Sequence, residues 1–286
     1  LKKFYHTYGE ELTLASQTAS PPLQMLNAGL QLYFLKYAKP EIFEQIKYSL
    51  HFPQYLTYLF TKKKLSEYTS IGCHTMLWDY VNKDYHEWVY AEGFDKLLPP
   101  VVDTGFTIQQ NIFGKNVKMG IGIHDSSAAL LPYIKAEPTP FLLVSTGTWS
   151  ITLNPFSEEI LTSEDLQNDC LNYMRTNGSP VKASRLFLGN EYQIQVKKLN
   201  AFFNKNEDYH LNLKFEEELS ASLKQHFQYH FKFESLPIEQ PNMRETNFNR
   251  FTNYETAYHQ LMLELVDLQT QSIKRAIGTS QISKIY

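Results

Sequence analysis

The alternation of apolar and polar residues is clearest between positions 119 and 153. Glycines alternate with isoleucines near the end of the segment 117–123, which predicts a strand that leads into His124 and Asp125. Small residues follow, as at the start of a helix. An apolar strand over 141–144, a turn rich in Ser, Thr and Gly, and another strand come next. Strands that alternate with helices are typical of the α/β fold class.

Two further helices carry clear end signals. Ser20 followed by two prolines predicts an N-cap and a first turn, and the apolar face after them extends to Tyr37. Asn253 predicts the N-cap of a long amphipathic helix, and Gly278 is expected to end it. Weaker patterns predict a helix that runs from Pro40 to about Leu50, a helix or strand–helix junction over 186–199, an amphipathic helix over 215–231 and an irregular segment over 235–249.

All three tryptophans are expected in the protein interior. Trp78 and Trp88 belong to an aromatic-rich stretch, and packing in a small core explains them better than stacking on a sugar. Trp149 follows the Ser/Thr/Gly turn inside a predicted strand, and burial is expected there too.

Composition and charge narrow the class of protein. Hydrophobic residues make up 43% of the 286 residues and charged residues 20%, which fits a globular enzyme of one large or two ordinary domains. A formal net charge of −3 argues against a nucleic-acid-binding surface. Two cysteines are too few for a disulfide framework, and no apolar run reaches the ~20 residues that span a bilayer. A cytoplasmic protein without a membrane partner is the simplest expectation.

Asp125 is the first candidate for chemistry. It follows a strand and precedes a helix, so helical N–H groups lie near its carboxylate. From the residues alone, Asp125 either caps the helix that begins at Ser126 or accepts a proton as a general base. His124 is most simply interpreted as a strand-end histidine that is bonded to the backbone.

The second candidate is the turn Ser145-Thr146-Gly147-Thr148. Its glycine lets backbone N–H groups approach an anion closely, and its other residues carry hydroxyls. The same residues also suit an ordinary hairpin turn. A carboxylate that accepts a proton and a turn that holds a phosphate are together what a phosphoryl transferase acting on an alcohol requires.

Both features resemble a known family. HDSSAALLP and VSTGTWSITL are similar to the FGGY carbohydrate kinases, in particular to the rhamnulokinase/fuculokinase-like branch, which has His-Asp-Thr-Ala and Ser-Ser-Gly-Thr-Trp-Ser at the matching places. Upstream, residues 53–61 and 67–70 resemble that branch's Pro-Asp-Tyr and Glu-x-Thr segments. Downstream, residues 185–189 resemble the family's segment that ends in a nucleotide-side glycine. The resemblance covers most of the chain.

The resemblance implies an α/β fold of two actin-like (ribonuclease H-like) ATPase domains around a cleft. Residues 1–134 would form the later part of the sugar-binding N-terminal domain, and residues 135–286 the first part of the nucleotide-binding C-terminal domain. Three prolines over 132–140 disfavour a continuous helix there, so we expect a hinge between the two domains at this segment.

The resemblance also implies roles for particular residues. Asp125 is then the general base that takes a proton from the sugar hydroxyl attacking the γ-phosphate, and capping is a compatible second role. His124 is then a candidate contact to the sugar. The implied nucleotide contacts are Thr146, Gly147, Thr148, Gly189 and Gln193.

The implied reaction phosphorylates a small-molecule sugar with ATP and Mg²⁺, and a deoxy-ketohexose such as L-rhamnulose or L-fuculose is favoured. Family members open with an Asp-x-Gly-Thr phosphate turn and later carry a Gly-Gly turn for the adenosine, and this sequence has neither. The metal ligands are therefore unknown, and the chain is interpreted as part of a longer protein. The same departures motivate an alternative, a non-catalytic sugar- or nucleotide-binding relative with the same fold. The resemblance also allows a homodimer.

Overall fold

The computed structural model describes residues 1–236, 240 and 243–286. The helices are α1 (Lys2–Tyr8), α2 (Glu11–Gln17), α3 (Ala28–Ala38), α4 (Pro40–Phe43), α5 (Phe52–Thr61), α6 (Tyr68–Ile71), α7 (Glu87–Ala91), α8 (Asp125–Ala136), α9 (Ser163–Gln167), α10 (Leu188–Phe202), α11 (Glu217–Gln225) and α12 (Tyr254–Ile277). The strands are β1 (Trp78–Asp79), β2 (Asp84–Tyr85), β3 (Thr107–Ile112), β4 (Lys115–Gly120), β5 (Phe141–Thr146), β6 (Ser150–Asn154), β7 (Cys170–Met174), β8 (Pro180–Leu186) and β9 (Lys284–Ile285). Of the segment predicted to be irregular, residues 237–239 and 241–242 lie outside the described residues.

The strands form two small hairpins and one larger sheet among the described residues. The hairpins pair β1 with β2 and β3 with β4, both antiparallel. The larger sheet has the order β7-β8-β6-β5-β9, and β9 runs parallel to β5. The element order predicted for 119–153 is confirmed, since β4, α8, β5 and β6 follow one another, and the α/β fold class is confirmed with it.

The chain divides into two compact units. The first consists of Leu1–Leu143, Leu153–Ala183 and Ile277–Tyr286, and the second consists of Val144–Thr152 and Ser184–Ala276. These two units are defined by contacts within the structure. The predicted domains 1–134 and 135–286 are defined by the family resemblance, and they stay a prediction.

The core of the first unit contains many aromatic side chains. Trp88 is fully buried, and its indole N–H donates to the carbonyl oxygen of Met76 at 2.9 Å. Phe4 meets the Trp88 ring edge to face, with 5.1 Å between the ring centroids. The prediction that Trp78 and Trp88 are interior residues is confirmed, since they are 7% and 0% exposed.

The core of the second unit lies along α10 and α12. The apolar face of α12 is buried at Leu261, Leu265 and Leu268, as its periodicity predicts. Asn253 accepts a hydrogen bond from the backbone N–H of Thr256 at 2.9 Å, which confirms it as the N-cap. Gly278 follows the helix with a φ of 54°, the left-handed conformation expected after a helix end.

Two buried carboxylates of the second unit hold the backbone of the segment 230–235. Glu264 accepts from the N–H groups of His230 and Phe231 at 2.8 and 3.0 Å. Glu191 accepts from the N–H groups of Glu234 and Ser235 at 3.0 and 2.6 Å. Both glutamates are 0% exposed, so these bonds replace the water that the carboxylates lose on folding. Because the N–H groups of His230 and Phe231 donate to Glu264 and not to helix carbonyl oxygens, the chain is not helical there. The helix α11 ends at Gln225 and does not reach the predicted end at residue 231.

The first predicted helix begins later than its cap signal indicates. The helix α3 starts at Ala28, with Asn27 and not Ser20 at the N-cap position. The Asn27 side chain accepts from the N–H of Leu23 and donates to the carbonyl oxygens of Pro21 and His74. These bonds fix a compact turn where the pattern predicts the first helical turns. The helix that begins at Pro40 is also shorter than predicted and ends at Phe43.

The segment before Asp125 ends as a strand earlier than predicted. The strand β4 stops at Gly120 and not at residue 123. Gly122 has a φ of +78°, and a Cβ atom there would lie 2.6 Å from the carbonyl oxygen of Pro53. The Gln54 side chain also donates to the Gly122 carbonyl oxygen at 2.9 Å. Glycine is therefore required at 122, where the chain turns against α5 before it enters α8.

Pro132 lies inside α8, yet the segment 132–140 is not a continuous helix, as predicted. The helix α8 continues through Pro132 to Ala136, and the non-helical connection starts only at Glu137. The side chains of Leu130 and Ser127 are buried, and the Ser127 hydroxyl donates to the Met174 carbonyl oxygen at 3.0 Å. This packing offsets the cost of the missing N–H. The hinge expected between the domains stays a prediction.

Candidate functional site

Asp125 is the first residue of α8, and its side chain is 94% exposed. Its Oδ1 accepts from the backbone N–H of Ser126 at 2.6 Å and lies 3.2 Å from Nε2 of His124. The N-cap position belongs to His124, so Asp125 is not itself the predicted cap residue. The carboxylate still satisfies one N–H of the first turn, and its exposure leaves it accessible to a small molecule.

The ring of His124 contacts side chains and does not make the backbone bond of the simpler interpretation. Its Nε2 lies 2.9 Å from Sγ of Cys73, and the ring packs against Tyr173 with 5.2 Å between centroids. Burial lowers the pKa of His124, and the charges of Asp125 and Glu67 act in the opposite direction. The ring is therefore neutral at pH 7.

A fully buried carboxylate, Glu67, holds the backbone of His124 in place through Thr69. Glu67 caps α6 by accepting from the N–H groups of Thr69 and Ser70 at 2.8 and 2.7 Å. The Thr69 hydroxyl donates to Glu67 at 2.7 Å and accepts from the N–H of His124 at 2.9 Å. The hydroxyl of Thr104 also donates to Glu67, at 3.0 Å. These bonds fix the point where the chain enters α8.

In the second unit, the turn after β5 packs directly on the start of α10. The N–H of Gly189 donates to the carbonyl oxygen of Thr148 at 3.1 Å. A Cβ atom on Gly189 would lie 2.1 Å from the carbonyl oxygen of Gly147. A Cβ atom on Gly147 would meet nothing within 4 Å. The close contact between this turn and α10 therefore depends on Gly189 and not on Gly147.

A cavity of about 260 Å³ adjoins this turn within the second unit. Three of the five predicted nucleotide contacts line it, namely Thr146, Gly147 and Gly189. Thr148 is exposed in the same turn. The remaining lining residues, which sequence reasoning did not single out, are Ser150, Leu188, Tyr192, Met262, Leu265, Val266 and Gln269.

Gln193 and Trp149 differ from their predicted surroundings. Gln193 is exposed on α10 and lines a separate cavity of about 820 Å³ together with Lys197, Glu207 and His210. The structure therefore does not bring Gln193 to the cavity that Gly189 lines. Trp149 is 41% exposed, so the prediction that it is buried is wrong. Its ring packs on Phe187 at the surface, with 4.5 Å between centroids.

Two residues of the first unit were missed as parts of the site. Glu67 contributed to the family resemblance, but glutamate is not among the residues preferred at an N-cap, so its capping role carries no local signal. Cys73 enters the sequence analysis only through the cysteine count, which excludes a disulfide framework. Its position beside His124 carries no local signal, because 51 residues separate the two in the chain.

The fit of a metal ion was tested on the side chains that the structure describes. In that part of the chain, no group of three or more His, Cys, Asp and Glu residues could hold a metal ion. Among the described residues, no helix is both long enough and apolar enough to cross a membrane.

Sequence comparisons match parts of the chain. Residues 138–224 match the family described as Carbohydrate kinase FGGY, C-terminal domain. A rhamnulokinase from Halalkalibacterium halodurans is 30% identical over 139 residues, which is 45% of this chain and 29% of that protein.

Solved structures resemble almost the whole chain. A carbohydrate kinase from Novosphingobium aromaticivorans superposes with a TM-score of 0.73 at 23% identity, covering 97% of this chain and 62% of that one. A xylulose kinase from Lactobacillus acidophilus gives a TM-score of 0.71 at 13% identity, covering 98% of this chain and 58% of that one. A gluconate kinase from the same organism gives a TM-score of 0.71 at 13% identity, covering 99% of this chain and 59% of that one. At these identities the structural likeness establishes the fold.

The fold is thus the actin-like α/β fold of these sugar kinases. Together with the sequence matches, it confirms the resemblance to the FGGY carbohydrate kinases. The chain spans 29% of the length of the curated relative and about six tenths of the solved structures.

Proposed function

We propose that the protein to which this chain belongs is an ATP-dependent carbohydrate kinase with Asp125 as its general base. The observation that carries the proposal is the accessible carboxylate of Asp125, which begins a helix whose entry is fixed by Glu67 and Thr69. Because the chain also matches the FGGY kinases, the reaction proposed for this carboxylate is proton acceptance during phosphoryl transfer to a sugar hydroxyl.

In this proposal Asp125 takes the proton of the attacking sugar hydroxyl. Oδ1 already accepts from Ser126, so Oδ2 is the atom proposed to receive the proton. Phosphoryl transfer depends mostly on positioning and charge stabilisation, and a base at this step contributes about 10²–10⁴-fold. His124, whose ring is neutral and next to the base, is proposed to contact another sugar hydroxyl.

Residues 145–148, which are the end of β5 and the turn after it, are proposed to bind the phosphates of ATP. Thr146, Gly147 and Thr148 are exposed, and a glycine between two residues with hydroxyls suits an anion. Gly189 allows α10 to start directly against the turn. Gln193 is proposed to contact another part of the nucleotide, since it lines the neighbouring cavity. Tyr192 lines both cavities.

Mg²⁺ is proposed to accompany ATP and to neutralise charge on its phosphates. The described residues offer no cluster of ligands for it, so no metal ligand is assigned.

A deoxy-ketohexose such as L-rhamnulose or L-fuculose is the proposed sugar. The curated relative is named a rhamnulokinase, and the fold relatives include proteins named xylulose and gluconate kinases. A panel of these sugars, assayed with the full-length protein and ATP, ranks them by kcat/KM. A preference for xylulose or gluconate over both deoxy sugars would overturn the choice of sugar and leave the kinase activity standing.

The general base is tested in the full-length protein with Asp125→Asn. We expect kcat to fall by roughly 10²-fold or more, because the amide cannot accept the proton, while ATP affinity and the melting temperature stay the same. Glu164→Gln is the matched control, since Glu164 is another exposed carboxylate in the first turn of a helix of the same unit. Sugar phosphorylation by the Asp125→Asn variant within a few-fold of wild type would show that Asp125 is not the base.

The alternative function is a non-catalytic sugar- or nucleotide-binding protein of the same fold. The missing Asp-x-Gly-Thr and Gly-Gly turns favour it if the full-length gene does not encode them. Calorimetry that shows binding of sugar or ATP by a full-length wild type without any turnover supports this alternative over the kinase.

A further inference from the structure

A cavity of about 560 Å³ opens in the first unit, and none of the residues proposed for phosphoryl transfer lines it. Three parts of the chain meet around it. They are the start of α6 with the hairpin β1–β2, the segment that follows β6, and the turn between β7 and β8. All its described lining residues belong to the first unit, and its volume is within the range of pockets that bind small molecules.

Two cations line this cavity without a partner of opposite charge among the described residues. Arg175 is half-buried, and Nη1 of its guanidinium makes one hydrogen bond there, to the carbonyl oxygen of Pro155 at 3.4 Å. Lys83 is exposed, and its Nζ makes neither a hydrogen bond nor an ion pair in the described part of the chain. Glu158 is the one carboxylate among the described lining residues, and it is exposed. Positive charge is therefore left for a ligand.

The turn that carries Lys83 is built on a buried carboxylate. Oδ1 of Asp79 accepts from the backbone N–H groups of Val81 and Asn82 at 2.8 and 2.9 Å, and Asp79 is 7% exposed. The N–H of Lys83 donates to the carbonyl oxygen of Asp79 at 2.9 Å. These bonds hold Lys83 at a φ of 55°, a conformation that is uncommon for residues other than glycine. The position of this lysine backbone at the cavity is thus fixed.

Neutral donors accompany the two cations. Trp78 is 7% exposed, and its indole N–H has no hydrogen-bond partner among the described residues. That N–H is not one of the unpartnered polar atoms that protein encloses completely, so it remains open to a ligand. The hydroxyl of Tyr68 also has no partner in the described part of the chain. Asn177 accepts from the N–H of Ser179 through Oδ1 at 3.1 Å, and its amide NH₂ group stays available.

This set of groups matches a phosphate monoester better than a carboxylate. A phosphate monoester carries about −1.5 to −2 charges at pH 7 and three acceptor oxygens, whereas a carboxylate carries a single charge. Two unpaired cations therefore balance the phosphate, and the guanidinium of Arg175 can bind two of its oxygens at once. The neutral donors at Trp78, Tyr68 and Asn177 suit the hydroxyls of a sugar.

The aromatic residues of the cavity disfavour a nucleotide. A nucleobase stacks on the open face of an aromatic ring. Trp78 is almost completely buried, and Tyr68 meets it edge to face with 5.9 Å between the ring centroids. Phe156 is packed in the same way against Phe141, at 5.3 Å. These rings form walls that exclude water and offer little open face to a base.

We propose that this cavity is a second ligand site, which binds the phosphate monoester of a small sugar. Arg175 and Lys83 bind the phosphate, and the neutral donors bind the hydroxyls of the sugar. The site belongs to the first unit alone, and its existence does not rest on the proposed kinase function.

Binding is measured by isothermal titration calorimetry on the full-length protein. A sugar substrate and a non-hydrolysable ATP analogue are present in excess, so that the site of the reaction is filled. The probes are L-rhamnulose 1-phosphate and D-glucose 6-phosphate, and inorganic phosphate and AMP are the comparisons. We expect at least one probe to bind roughly tenfold more tightly than phosphate or AMP, because only a sugar phosphate uses both sets of donors. Absence of binding by both probes, or equal or tighter binding of AMP or phosphate, would overturn the proposal.

Two variants locate the binding. Arg175→Gln should weaken it roughly tenfold or more, because charge-assisted hydrogen bonds to the phosphate are lost. Arg275→Gln is the matched control, since Arg275 is a half-buried arginine of the second unit, and it should leave the affinity unchanged. An unchanged affinity in Arg175→Gln would show that the ligand binds elsewhere.

Lys83→Gln repeats the test at an exposed side chain whose replacement costs no packing. We expect about threefold weaker binding, since an exposed charge contributes less than a half-buried one. Lys62→Gln is its control, because Lys62 is also exposed, belongs to the same unit and has a φ of 56°. Equal affinities of the Lys83 and Lys62 variants would remove Lys83 from the site.

These outcomes are separate from the kinase function. A full-length protein without turnover can still bind a sugar phosphate, and the Arg175 variant then decides whether this cavity holds it. An active kinase whose Arg175→Gln variant binds both probes as wild type does would keep its reaction and lose this second site.

Discussion

A single hydroxyl, that of Thr69, joins a buried carboxylate to the backbone of His124. It donates to Glu67 and accepts from His124, and Thr69 itself is 0% exposed. Thr69→Val keeps the volume and removes both hydrogen bonds, which leaves the His124 N–H and an oxygen of Glu67 with one partner fewer. We expect the free energy of unfolding to fall by about 1–3 kcal/mol in urea denaturation, as for other buried groups left unsatisfied.

The control for this change is Thr270→Val. Thr270 is exposed on α12, and its hydroxyl donates only to the Val266 carbonyl oxygen one turn earlier. Its loss should alter stability by no more than about 0.5 kcal/mol. Equal effects of the two substitutions would mean that the bonds at Thr69 do not stabilise the entry to α8.

Gly189 permits the contact between α10 and the turn before β6. In Gly189→Ala the new methyl would lie 2.1 Å from the Gly147 carbonyl oxygen, so the turn or the helix must move. We expect ATP affinity, measured by calorimetry on the full-length protein, to fall by roughly tenfold or more, because a displacement of about 1 Å misaligns the groups proposed to bind phosphate.

Gly120→Ala is the matched control for Gly189→Ala. A Cβ atom at Gly120 would meet nothing within 4 Å, and its φ is not in the left-handed region. ATP affinity should therefore be unchanged in that variant. An unchanged affinity in Gly189→Ala as well would remove the turn from the proposed nucleotide site.

At the scale of elements, α12 makes the stability of the second unit depend on pH. Burial raises the pKa of Glu264 to about 7, and its hydrogen bonds from Gln260 and from the backbone of Phe231 and His230 oppose the shift only in part. The folded state therefore binds a proton that the unfolded state releases near its ordinary value of 4.5. The stabilising contribution of Glu264 is full below that value and is lost as the pH rises through about 7.

Glu264→Gln removes this titration and keeps the side chain's shape. We expect the free energy of unfolding of wild type, relative to this variant, to decline between about pH 4.5 and about pH 7, by an amount on the order of 3 kcal/mol, and to be flat above that range. Urea denaturation at a series of pH values measures it. Parallel curves for the two proteins across the range would show that Glu264 has the same pKa in both states.

The elements that could be predicted from sequence are those whose ends are determined locally. The bounds of α12 follow from Asn253, an apolar period and Gly278, all within one stretch of chain. The start of α3 could not be predicted in this way, because Asn27 is held by the His74 carbonyl oxygen 47 residues away. The same reason hides Cys73 beside His124, whereas Asp125 and the Ser/Thr/Gly turn are visible because each is a short segment with its own chemistry.

At the scale of the whole molecule, the chain passes between the two units at four points. Three of these points lie inside β5, β6 and β8, and the fourth lies at the last residue of α12. The second unit is therefore made of two stretches, and residues of the first unit both precede and follow it.

This connectivity restricts how related genes can be recombined. A single crossover between two such genes exchanges everything on one side of one point, so it can never transfer the second unit alone. The ten residues from Ile277 to Tyr286, which belong to the first unit, always accompany the C-terminal part of the second unit. Transferring it whole requires four crossovers, each within a helix or strand, where mismatched parental sequences disrupt hydrogen bonding and packing. We therefore expect the two units to diversify in natural lineages mainly by point substitution, and we expect shuffled libraries with crossovers at these four points to contain few folded members.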